Sequence, residues 1–294
     1  MFASLLTTLS FACSGLSAGR ASKLIGGMQS LFWRTLLALC FLSLYASLFG
    51  QKLHGPGLLV FIVSGAVGFG FGDLALFESY SRIGARRTIL LAQCLAAPIA
   101  CLTEWAWLGT RLTCWEIFLG AVILFGVGIS LAPSEHLKIP RPLFVSGVCF
   151  GVLAAAGQGW GAVLSRYAFH LNDSAGIHVD AVTATFQRML GGAMLVLPVF
   201  AIYLANRRRR NFAKPNHSAS GWLLAHALCG PVIGVSCFQW ALSSTPSGIV
   251  LAIVATTPIA IMPLTHWFDG DRLTTRNLIG AAIAVGGVIG LILS

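Results

Sequence analysis

The chain has 294 residues, of which 56% are hydrophobic and only 10% charged, with a formal net charge of +10. A soluble domain carries about 25% charged residues, so a soluble globular fold is excluded. Period-2 alternation is absent, which argues against an outer-membrane barrel. The basic residues lie between apolar runs, so orientation in a bilayer accounts for the positive charge better than nucleic-acid binding does.

Apolar runs near 20 residues recur along the chain, each long enough to cross a hydrocarbon core about 30 Å thick. They predict an all-α integral membrane protein with ten transmembrane helices, at 2–19, 29–49, 57–79, 86–106, 113–132, 143–165, 181–205, 220–243, 247–267 and 275–293. The first run looks superficially like a signal peptide. It lacks a basic leading region and has a counterpart near residue 150, so it is read as a span. Arg34 opens the second span, where snorkelling to the interface is inexpensive.

The third span carries Gly65, Gly68, Gly70 and Gly72, a small-residue face suited to close helix packing. Asp73 follows them about two-thirds of the way along. An aspartate at bilayer depth costs about 2.5–3.5 kcal/mol on insertion scales, so it should face protein or water. It is a candidate for proton or substrate binding, with a structural ion pair as the alternative. Glu78 is expected to pair with Arg82, its i+4 neighbour.

Gln93 and Pro98 fall in the fourth span and Gln158 and Trp160 in the sixth. The seventh carries Gln187 and Arg188, where Arg188 is a candidate for pairing with an acid or with an anionic solute group. The eighth holds His226, Pro231, Gln239 and Trp240, and the ninth Thr256, Thr257, Pro258, Pro263 and His266. Pro98 and Pro258 each free a carbonyl one turn earlier, at Cys94 and Val254. In lipid such a carbonyl needs a new partner or a watery cavity, so the two prolines are expected to mark a matched pair of broken helices. Gln93, Gln158, Trp160, Gln239, Thr256 and Thr257 are then candidate cavity contacts. "RRRRNFAK" (207–214) reads as a topology anchor first and a lipid-headgroup patch second.

The two halves, 1–137 and 138–294, resemble each other. "AAPIACLTEWAWLGTRLT" sets beside "TTPIAIMPLTHWFDGDRLT", each followed by a glycine-spaced helix, "GAVILFGVGISL" and "GAAIAVGGVIGLIL". "LFWRTLLA" is echoed by "TFQRMLGG", which places Arg34 and Arg188 in register. Five spans per half is an odd number, so two copies must face opposite ways. Inverted repeats of this kind characterise transporters, with the solute site between the halves.

On these residues the chain resembles the drug/metabolite transporter superfamily, in particular the EamA family of bacterial ten-helix permeases. Family members often carry Glu just before the Leu-Thr of the short loop, where this chain has Arg111 and Arg272. The resemblance implies alternating-access transport of small organic solutes, often export of metabolites, across the inner membrane. Asp73 is the candidate for proton coupling.

The eight cysteines are scattered and read as small apolar packers. No HExxH, Walker loop or nucleophile elbow appears. The expectation is therefore of no catalytic residues, no metal and no cofactor. A membrane-embedded partner subunit without transport of its own, or an enzyme acting on lipid, are the alternatives. Fourteen Lys and Arg lie in the odd-numbered connections and three in the even ones. The positive-inside rule then puts the odd connections in the cytoplasm, whereas the family resemblance suggests cytoplasmic termini.

Overall fold

The computed structural model describes residues 2–50, 53–108, 113–131, 139–206, 217–245, 247–269 and 274–293. The described residues contain helices and no strand. In chain order these are α1 (Phe2–Ile25), α2 (Gly27–Leu48) and α3, which runs through Leu58–Gly65, Ala66–Gly72 and Asp73–Ile83. Then come α4 (Ala85–Leu108), α5 (Cys114–Leu131), α6 (Arg141–Ser174) and α7 (Ala181–Asn206). The eighth, α8, runs through His217–Ala227, Leu228–Val235 and Ser236–Ser244, and is followed by α9 (Ser247–Val254), α10 (Thr257–Asp269) and α11 (Thr275–Leu293). The arginine run 207–210 and the loop residues Arg111 and Arg272 lie outside the described residues.

Among the described residues six helices are each long and apolar enough to cross a membrane: α1, α2, α3, α6, α7 and α8. The outward faces carry large apolar side chains such as Leu44, Leu48, Phe125, Met194 and Ile202, all exposed. Such a coat suits lipid, in which an apolar side chain loses nothing by facing outward. The interior is built instead from small residues, with Ala18, Ala21, Ala38, Ala155, Ala162 and Ala284 fully covered. Small side chains let backbones approach, and in a bilayer that packing is what holds helices together.

One such approach joins α3 to α6. A methyl group on Gly157 would lie 2.5 Å from Gly72 Cα, a distance no real side chain tolerates. Ser64 Oγ donates to the Gly161 carbonyl at 2.7 Å, Ser79 Oγ donates to that of Gly147 at 2.9 Å, and the Gly57 N–H donates to Asn172 Oδ1 at 2.8 Å. Contacts that rise along α3 as they fall along α6 make the pair antiparallel.

Two other pairs also run antiparallel. Ser130, near the end of α5, donates through Oγ to the carbonyl of Asn277 at the start of α11 at 3.2 Å, while Leu119 lies against Gly290 at the other end of the same contact. Phe32, early in α2, stacks on Phe200, late in α7, with ring centroids 3.9 Å apart. Gly50, just past α2, lies against Thr183 at the beginning of α7.

Three details depart from the expectations. The sixth helix does not stop at 165 but continues to Ser174, giving 34 residues, or about 51 Å at 1.5 Å per residue. The extra turns are held by Phe169, edge-on to Phe61 at 4.9 Å, and by Asn172. Arg166 therefore sits inside a helix, where Nη1 donates to the Leu242 and Thr245 carbonyls at 3.0 and 2.8 Å.

The helix carrying Pro98 is unbroken over Ala85–Leu108. Only the Pro258 segment is split, at the turn Ala255–Thr256 between α9 and α10. Thr257 Oγ1 donates to the Val254 carbonyl at 2.5 Å, so the acceptor that Pro258 leaves without its helical donor is satisfied locally.

The matched irregularity lies elsewhere. Ala66–Gly72 in α3 and Leu228–Val235 in α8 are both π-helical. The first is glycine-rich and the second contains Pro231, so neither sequence favours a regular α-turn. Widened turns of this kind occur often at functional sites.

Candidate functional site

Both π-helical stretches open onto one cavity, with about 750 Å³ of empty volume counting the part that opens outward. Gly68, Phe69, Gly72 and Asp73 come from the first stretch and its end, and Gly230, Pro231 and Val235 from the second. Further wall comes from α1 (Phe11, Ser14), α2 (Arg34), α4 (Ile89, Gln93), α6 (Ala154, Gln158) and α7 (Arg188).

The polar floor of the cavity is an ion pair. Arg34 Nη2 donates to Asp73 Oδ2 at 2.5 Å, with Arg34 only 4% and Asp73 9% exposed. The sequence reading of Arg34 as a snorkelling residue is thus corrected. Gly27 brings α2 against the Phe77 backbone of α3, and pairing within the bundle satisfies both charges at once.

Arg188 occupies the other side. Its guanidinium lies 5.1 Å from the centroid of Phe69, and that of Arg34 lies 5.7 Å from the same ring. Cation–π attraction holds both groups near one aromatic side chain. Unlike Arg34, Arg188 has no ion-pair partner among the described residues. Its buried Nε has no hydrogen-bond partner there either.

Neutral polar groups complete the wall. Gln158 Nε2 donates to Gln93 Oε1 at 2.5 Å, which ties α6 to α4. His226 Nδ1 lies 2.8 Å from Ser14 Oγ and 3.0 Å from the Ser14 carbonyl, which ties α8 to α1. A carbonyl only accepts, so that second contact requires the proton on Nδ1. The ring also lies edge-on to Phe77 at 5.4 Å. His226 is thus held by neighbours, while His266 is exposed at the end of α10.

Of the candidate solute contacts named from the sequence, the structure gathers Asp73, Gln93, Gln158 and Arg188 at the cavity, and Arg34, His226 and Pro231 join them. Gln239 is buried one layer away, where Nε2 reaches Ser165 Oγ at 3.5 Å. Trp160 is 42% exposed on the outer side of α6. Pro98, Thr256, Thr257 and Pro258 do not line the cavity. Thr256 Oγ1 donates to the Ile253 carbonyl at 2.6 Å, within its own turn. Glu78 pairs with Arg82 one turn on, as expected. Phe69 and Tyr80, both cavity residues, were not recognised in the sequence, since a single aromatic in an apolar helix carries no signal of its own.

A model of the EamA-like transporter family matches the chain in two stretches, residues 1–132 and 145–293. The protein belongs to the EamA-like transporter family. It is accordingly a multi-pass membrane protein of a transporter family. The chain is similar to a solved crystal structure at 16% sequence identity, over 98% of this chain and 95% of that one, with a TM-score of 0.69. At that identity the likeness concerns the fold alone. No curated protein matches the chain.

Proposed function

We propose that this EamA-family protein is a ten-pass secondary transporter that exports small organic metabolites across the bacterial inner membrane by alternating access. Residues 1–137 and 138–294 form two inverted five-helix repeats, with the solute site between them. The observation that carries this reading is the cavity itself. It is bordered by the π-helical stretches of α3 and α8, which hold the same place in the two halves, and it contains the buried Arg34–Asp73 pair.

Packing supports the inversion. The helices α5 and α11 hold equivalent places in the two halves, as do α2 and α7, and each of these pairs runs antiparallel. Other contacts recur when the halves are exchanged. The packing of α3 on α7 is answered by α8 on α2, that of α3 on α6 by α8 on α1, and that of α4 on α6 by α10 on α1. Such exchange symmetry lets two half-cavities open in turn by the same movement.

Asp73 is proposed to carry the coupling proton. Protonation would release Arg34, and the free guanidinium would then change its hold on the cavity wall. The test is solute flux in proteoliposomes, with candidate solutes taken from metabolite profiles of cells with and without the gene. Wild type should move at least one of them, and Asp73→Asn should abolish its response to a pH gradient. An unchanged response removes the proton role, and absence of flux for every candidate removes the transport reading.

A further inference from the structure

We infer that the solute is a small organic monoanion, a carboxylate on an apolar body, and that Arg188 holds its carboxylate. This rests on the transport reading above and names its substrate class.

Charge is the first argument. Among the described residues lining the cavity, the strong charges are Arg34, Arg188 and Asp73. Asp73 is in direct contact with Arg34 at 2.5 Å and also feels Arg188, so one carboxylate faces two guanidiniums and one positive charge is left in surplus at membrane depth. Intramembrane cations pair with an acid or mark a substrate path. With one surplus positive charge, a monoanion restores neutrality. A dianion would overshoot, and a cation would add to the imbalance. A zwitterion would bring its ammonium to a cavity whose described carboxylate is already engaged.

Shape is the second. Arg188 is 5% exposed, and its Nε lacks a partner. Its Nη2 lies where a methyl group on Gly68 or Gly161 would come within 3.0 or 3.1 Å. Bare backbone on both sides keeps the guanidinium free of crowding, and a planar fork of donors matches the two oxygens of a carboxylate. The cavity lining also includes Phe11, Ile89 and Phe238, which give an apolar body a surface to bury.

The test uses the purified protein in detergent, with phenylacetate, phenylacetamide and phenethylamine as probes of equal body and different charge. Phenylacetate should raise Tm in a saturable way, and the other two should not. Arg188→Lys should weaken phenylacetate by about 10- to 100-fold, the factor expected when a charged, two-pronged hydrogen bond is reduced to a point charge. Arg188→Gln should abolish the shift. Should Arg188→Gln not fold, the wild-type probe series and the lysine variant decide the matter alone. No Tm rise with phenylacetate, or an equal rise with phenylacetamide, overturns the inference. Flux of a neutral or cationic solute that phenylacetate fails to compete overturns it too, while leaving transport standing. Phenylacetate binding without flux of any solute keeps the anion site and overturns the transport reading instead.

Discussion

Arg34 and Asp73 are 39 positions apart in the chain and close a 2.5 Å ion pair where α2 meets α3, beside a ring that also carries Arg188. Two of these three charged groups satisfy each other. The pair thereby sets the electrostatic balance of the whole cavity, since this one carboxylate stands against two guanidiniums.

The pair makes a prediction about stability separate from transport. Asp73→Asn or Arg34→Gln alone should lower the unfolding free energy by about 3–5 kcal/mol, because each leaves a buried charge without its partner. Arg34→Gln combined with Asp73→Asn should cost much less than the sum of the single changes. Chemical unfolding of the four proteins in detergent measures this. Additive losses would mean the pair is not coupled in the folded protein.

Helix approach predicts a second effect. Gly157→Ala places a methyl group 2.5 Å from Gly72 Cα and must push α6 from α3, at a cost of about 1–3 kcal/mol for overpacking. Gly120→Ala meets nothing within 4 Å. It should be neutral or stabilising by up to about 1 kcal/mol, as expected for removing a helical glycine. Thermal unfolding of the two variants side by side tests whether packing, and not glycine as such, makes the difference.

A third prediction concerns Arg166. Its guanidinium holds the Leu242 and Thr245 carbonyls at the end of α8, and behind it Ser64, Ser165 and Gln239 fill the space between α3, α6 and α8. Arg166→Gln should loosen this end. A cysteine at Gln239 should then react faster with a small thiol reagent, by about tenfold if two charge-assisted bonds contribute about 1.5 kcal/mol to closure. An unchanged rate would show that Arg166 has no part in closing that end.

Orientation gives a fourth. The excess of Lys and Arg in the odd connections predicts that Gly84 faces the cytoplasm and that Gly176, in the connection after α6, faces outward. Single cysteines at these two positions, labelled with an impermeant maleimide on intact cells, should react at Gly176 and not at Gly84. The reverse pattern would favour cytoplasmic termini.

Much of the fold was legible because membrane helices announce themselves by long uncharged runs, and because Asp73 and Arg188 are costly residues in such runs. The errors have physical causes. Pro98 and Pro258 carry the same local signal, but α4 absorbs its proline while the chain opens at Ala255–Thr256. A proline's effect depends on whether neighbouring groups can satisfy the freed carbonyl, as Thr257 does for Val254. The π-helical stretches left no motif beyond glycines and one proline, because a widened turn is chosen by packing rather than by side-chain chemistry. Arg34 was misplaced for a related reason. Its partner is remote in sequence, and only the crossing of α2 and α3 brings the two together. The end of α6 escaped notice because Asn172 looks like a loop residue until Gly57 lies against it.

The central claim is that the Arg34–Asp73–Arg188 cavity lies on the solute path and opens to each side of the membrane in turn. Gln158 lines it without carrying charge, so the most direct measurement places a single cysteine there, in a protein freed of its eight native cysteines. Sealed vesicles of known sidedness are then treated with an impermeant thiol reagent from one face or the other. The account predicts labelling from both faces, slowed by the transported solute. Labelling from one face alone, or from neither, would contradict it.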